Sequence, residues 1–207
     1  MAMRGVFGSV VLIGLVCSLV GAQSRTHTAK VLQAAGRVAQ TTKLIHDKQT
    51  RSTKVIGPPR SIPTAVEGIQ NIRAGTWYLH ATCDKKAVRR LQMTVMLART
   101  NYKKGWIHFD SAYIDGTSIP VTHVGYFPHL EEKFFGEQIL LDFSAEDLKK
   151  FSQMKTVNIK VANDSLGDNH RAFGVPVPGA YFLGFLMALE RERIDLAPQQ
   201  TPNKRQE

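Results

Sequence analysis

Apolar and polar residues alternate along about seven stretches of the chain, the period of half-buried β-strands. From Thr76 to Thr82, Trp77, Leu79 and Ala81 fall on one face, with Tyr78, His80 and Thr82 on the other. Leu91, Met93, Val95 and Leu97 share a side in the next stretch, as do Ile139, Leu141 and Phe143, then Val157, Ile159 and Val161. Arg171 to Val177 supplies a last strand. Between Gly105 and Val124 two alternating runs flank Asp115-Gly116, a pair that tolerates positive φ and so favours a two-residue hairpin turn. That turn sets Ile114 opposite Thr117 and Ala112 opposite Ile119, and extrapolates to His108 opposite His123.

Helical spacing appears in two places late in the chain. Ser144, followed three residues on by Asp147, is a capping pattern, and Leu148, Phe151 and Met154 give the short helix after it an apolar side. Tyr181, Phe182, Phe185, Leu186 and Leu189 mark a closing amphipathic helix that starts at Pro178-Gly179 and runs to about Arg193. The expected fold class is α+β, mostly β: an antiparallel sheet forming a sandwich or partial barrel, with one short helix and one C-terminal amphipathic helix packed on it. Gly125 to Gly136, with Phe127, Pro128, His129, Phe134 and Phe135, is expected to be an aromatic loop folded over the body.

The first residues have a different character. Arg4, the apolar run from Val6 to Val20, and the small residues Val20-Gly21-Ala22 are the three parts of a secretory signal, so residues 1–22 are expected to be cleaved and no integral span to remain afterwards. The alternative is an uncleaved anchor. Export in a bacterium, to the periplasm or beyond, is the expected location. Beyond residue 22 the only cysteine is Cys83, so no internal disulfide is available and Cys83 is expected to be buried as a small hydrophobe.

Charge then divides the remainder. Residues 23–60 carry Arg25, Lys30, Arg37, Lys43, Lys48, Arg51, Lys54 and Arg60 against Asp47, a net of +7, whereas 61–189 net +2 and 190–207 net zero. Val31, Leu32, Ala35, Val38, Leu44 and Ile45 suggest a helix from Thr28 to Lys48, weakened at Gly36 and at Thr41-Thr42. Gly57-Pro58-Pro59-Arg60 and Pro63 stop it. The expected division is a basic arm and Pro-rich linker over 23–63, one globular domain over 64–193, and a disordered tail over 194–207. A basic arm draws anionic surfaces or polysaccharide with salt-sensitive affinity. Lys85, Lys86, Arg89 and Arg90 stand a strand's length from Lys103 and Lys104, on the order of 30 Å, so one nucleic-acid groove is not expected.

The chain has no nucleophile elbow, phosphate loop, zinc-protease helix or paired Cys-x-x-Cys. Two constellations remain. His108 facing His123, with Asp110 on the same face, brings together ligands for a weak divalent metal or a pH-sensitive site. Trp106, Tyr102, Lys103 and Lys104 suit contact with a carbohydrate or an anion, and with Phe127 and His129 of the aromatic loop they are the candidate partner-binding residues. No cofactor is expected beyond that metal. The balance favours an exported, envelope-associated binding or assembly domain without catalytic activity, partnered by another envelope or secreted protein. A metal-dependent hydrolase using His108 and His123, and polyanion binding through the arm, are the alternatives.

Overall fold

The computed structural model describes residues 28–62, 72–99, 109–129, 134–164 and 171–196. The first of these segments corrects the expected arm. A helix, α1, covers 28–41 and ends where Thr41 and Thr42 turn their hydroxyls back on the helix, to the carbonyls of Arg37 at 2.7 Å and Val38 at 2.8 Å. Such local bonds compete with the helix's own ladder, so Leu44 and Ile45 do not extend it. The chain passes instead into β1 (Lys43–Asp47), β2 (Ser52–Ile56) and β3 (Arg60–Ser61).

All three strands belong to a seven-stranded antiparallel sheet with the order β1-β2-β4-β5-β9-β8, in which β3 also pairs with β4. Here β4 is Ile72–Asp84, β5 Ala87–Arg99, β8 Val121–His129 and β9 Phe134–Asp142. The sheet cannot be completed without residues 43–61, so position 63 is not a domain boundary. The expected aromatic loop is largely strand as well: 125–129 continue β8 and 134–136 begin β9. Pro128 is compatible with this because β8 is an edge among the described strands, a position where proline is tolerated.

A second antiparallel sheet has the order β11-β10-β6-β7. It is built from β6 (Ser111–Ile114), β7 (Thr117–Ile119), β10 (Thr156–Asn163) and β11 (Arg171–Pro178). Asp115 and Gly116 both have positive φ, 49° and 79°, and Ile114 faces Thr117 as the turn chemistry requires. Pro120 follows, and beyond it the chain leaves this sheet for the larger one.

The two inner faces form one core with the helices. Leu79, Met93 and Leu141 come from the larger sheet, and Val157, Ile159 and Val175 from the smaller, each fully buried. α2 (Ala145–Ser152) is held by the expected box: Ser144 accepts from the Asp147 amide at 2.9 Å and gives its own N–H to the Asp147 carboxylate at 3.0 Å. α3 (Gly179–Arg191) adds Phe182, Phe185 and Leu189 to the core. α1 lies on α3 at Gly184, where the backbone of Ala35 and the side chain of Val38 leave no room for a Cβ. Residues 194–196 are also fixed rather than part of a tail. Ile194 is buried, and the backbone of Asp195 bonds to Lys86 at 2.7 Å and Val88 at 2.9 Å.

Candidate functional site

Gly57-Pro58-Pro59 creates the site by interrupting an edge. Ile56 faces His80 and Arg60 faces Trp77, so three residues on the β2–β3 side oppose two on β4. One extra residue in a strand is a bulge, and proline is admitted there because a bulged position gives up its ladder bond anyway. Gly57 still donates to the Leu79 carbonyl at 2.8 Å, and Ile62 restores the pairing with Gly75 at 2.8 Å.

Tyr181, in the first turn of α3, fills the gap between them. Its hydroxyl donates to the Pro58 carbonyl at 2.7 Å and accepts from the Leu79 amide at 3.4 Å. Burial pushes the phenol well above its ordinary range, against the opposing pull of the Leu79 amide and Arg60. Its ring meets Trp77 edge-on, with centroids 4.6 Å apart, and the Arg60 guanidinium carbon stands 5.9 Å from its centroid.

Outside these rings lies a cleft of about 410 Å³ between α1, the β3–β4 edge and the β11–α3 corner. Val38, Pro176, Pro178 and Ala180 make its walls apolar, and Arg60 is the only charged residue among the described residues lining it. The described lining residues include no carboxylate, imidazole or thiol. Ser61 adds one hydroxyl to the described lining. Such a cavity has the chemistry to hold an apolar body and one anionic group.

The candidates from the sequence are distributed differently. The β6–β7 ladder stops at Ile119, and after Pro120 the strand joins β9, where His123 sits opposite Leu140 in the other sheet. The expected pairing of His123 with His108 extends that ladder, and among the described residues the ladder ends at Ile119. Asp110 turns toward β10, and its carboxylate accepts from Ser111 Oγ at 2.6 Å and the Asp164 amide at 2.9 Å. Among the described residues no three of His, Cys, Asp or Glu gather closely enough to hold one ion. Tyr102, Lys103, Lys104, Trp106 and His108 lie outside the described residues, as do Arg25 and the segment 1–22. Phe127 and His129 are in β8, opposite Gly136 and Phe134. Of the basic residues expected on a free arm, Lys30 and Arg37 are exposed on α1, Lys43, Lys48, Arg51 and Lys54 on the β1–β2 hairpin, and Arg60 at the cleft.

A smaller cavity of about 240 Å³ beneath the Asp115-Gly116 turn is lined by Asp142, Asp147 and Lys150 among others. Two of its three carboxylates have structural work, Asp147 closing the α2 cap and Asp142 accepting from Gln92 Nε2 at 2.8 Å, and the third, Asp115, belongs to the turn itself. The larger cleft was hidden in the sequence because its lining comes from four separate segments. One signal pointed to it, a tyrosine in the first turn of an otherwise apolar helix, whose hydroxyl needs a partner when buried. The chain has no significant match among protein-family models, curated proteins or solved structures.

Proposed function

We propose that the protein is an exported, non-catalytic binding domain whose cleft takes an amphiphilic acid, the apolar body between α1 and α3 and the carboxylate on Arg60. The observation that carries this reading is a described lining of mainly apolar and aromatic residues with a single guanidinium, one serine hydroxyl (Ser61) and no carboxylate, imidazole or thiol. Arginine suits the role because its planar fork bonds a carboxylate bidentately and stays charged at any working pH. Tyr181 and Pro58 support it from behind, fixing the bulge that carries Arg60.

The test is isothermal titration calorimetry of the full chain with decanoate, decanol and decyltrimethylammonium. Decanoate is expected to bind saturably and the cation not at all. Arg60→Ala should weaken decanoate about tenfold or more, the loss of one charge-assisted contact, and leave decanol unchanged. Equal binding of all three amphiphiles, or decanoate binding untouched by Arg60→Ala, overturns the proposal.

A further inference from the structure

The β1–β2 and β4–β5 turns lie side by side at one end of the larger sheet. Thr53 faces Cys83 and Cys83 faces Val88, so the loop Lys48-Gln49-Thr50-Arg51 is level with the two-residue turn Lys85-Lys86. One step inward, Lys54, Thr82 and Arg90 form a row across three strands. At about 4.8 Å per strand this sets the Lys54 and Arg90 backbones roughly 10 Å apart on one face. Arg89 is the extra residue of a bulge between Arg90 and Val88. Sequence separates these cations into two groups; the fold joins them.

Seven exposed cations, Lys48, Arg51, Lys54, Lys85, Lys86, Arg89 and Arg90, meet two carboxylates here, Asp47 and Asp84, a net of +5. Asp47 caps its own turn, accepting from the amides of Gln49 at 2.9 Å and Thr50 at 3.2 Å, and Asp84 pairs with Arg89 at 3.3 Å. Arg193 and Asp195, in the segment bonded to the turn, cancel each other.

The backbone adds an independent observation. Among the described residues five that are not glycine have positive φ: Arg51, Lys85, Lys86, Asp115 and Arg193. Four of them are cations, and all four are at this end. Lys85 and Lys86, at 45° and 67°, occupy both central positions of a turn that favours Asn-Gly, the kind of sequence the other hairpin has in Asp115-Gly116. Strain of this sort marks positions where the side chain matters more than the turn.

We infer that this end of the sheet is a docking surface for an anionic lipid bilayer. Lys48, Arg51, Lys85 and Lys86 stand on the tips of two hairpins with Lys54, Arg89 and Arg90 on the strands just behind them, where a planar array of phosphates can meet them together. A nucleic acid or polysaccharide strand is held along a groove, with rings to stack on, and no aromatic residue occurs in 47–54 or 84–90. The inference is independent of the cleft, which opens beside the other end of α3.

The experiment is co-sedimentation of the full chain with vesicles of phosphatidylcholine alone or with added phosphatidylglycerol, the difference between them being the readout. Binding that residues 1–22 cause through hydrophobicity is common to both and cancels. Lys85→Asn/Lys86→Gly supplies the turn with its preferred residues, so the fold is kept while two charges leave. The anionic increment is expected to fall about 25-fold, at roughly fivefold per cation. Lys54→Gln/Arg90→Gln, which leaves the turn alone, should fall comparably. Lys155→Asn/Lys160→Asn, an equal charge change at and within β10, should lose less than about threefold, as charges beyond a Debye length do. No anionic increment, equal losses in all three pairs, or a single-stranded RNA that binds with the same variant pattern while vesicles do not, each overturns the inference.

Discussion

The Tyr181 hydroxyl donates to the Pro58 carbonyl at 2.7 Å, joining the first turn of the last helix to the bulge between the second and third strands. A stretch that reads as a linker is thereby an edge of the main sheet, and α3 holds it closed.

Tyr181→Phe should destabilise the protein by about 1–3 kcal/mol, because the Leu79 amide and Pro58 carbonyl lose their partner while remaining largely covered. Gly57→Ala should do similar harm, since its Cβ would stand 2.6 Å from that hydroxyl. The double variant should lose less than the two singles together, by on the order of 1 kcal/mol, because removing the oxygen makes room for the methyl. Urea unfolding of all four proteins measures the coupling.

Gly184→Ala tests the docking of α1. The new methyl would fall 2.6 Å from Val38 Cβ and still nearer the Ala35 carbonyl, so the helices must separate. A loss of about 1–3 kcal/mol is expected. Tryptic cleavage at Lys30 and Arg37 should accelerate by a larger factor than the global loss explains. Cleavage unchanged relative to global stability would mean α1 tolerates the shift.

Much of this architecture is legible from short-range chemistry. Asp115-Gly116 fixes its own register, Ser144 and Asp147 fix the start of α2, and the apolar stripe through Phe182, Phe185 and Leu189 identifies α3. What escapes is any choice made between distant partners. Pro120 gives no sign in the sequence that the alternation after it belongs to another sheet, which is why His123 was set against His108. The same blindness divides Lys54 from Arg90, and Arg60 from Tyr181. Each pair is joined by a strand or helix contact that local periodicity does not encode.

Burial lowers the His80 pKa from its ordinary value, helped by the charge of Lys54 and opposed by Asp142. Near neutrality and above, His80 is uncharged in both folded and unfolded chains and costs nothing. As pH falls below the ordinary value of 6.5, the unfolded chain takes up a proton that the folded one resists, so stability declines until the folded pKa is reached. Between pH 7.5 and about 5 the wild type should therefore lose more urea stability than His80→Gln. Equal slopes would remove His80 as the cause.

The Cys83 thiol is buried and pushed up to about 11, so it is a thiol and not a thiolate at neutral pH. Labelling by a disulfide reagent, mapped by mass, should modify Cys83 only on unfolding. Cys83→Ser should be less stable than Cys83→Ala by about 1 kcal/mol, since a hydroxyl there would need a partner. Rapid labelling of the folded protein would show that the site opens.

The contacts of α1 with α3 also govern when the chain can fold. α1 rests on α3, which is synthesised well over a hundred residues later, and β2 and β3 wait for β4 on one side and for Tyr181 on the other. Contacts of such long sequence separation slow folding, because the whole intervening loop must be ordered before they reward it. A chain with this topology cannot lock α1, β2 and β3 in place until α3 has been made, and so these elements stay open, and threadable, while everything between them and α3 is being synthesised.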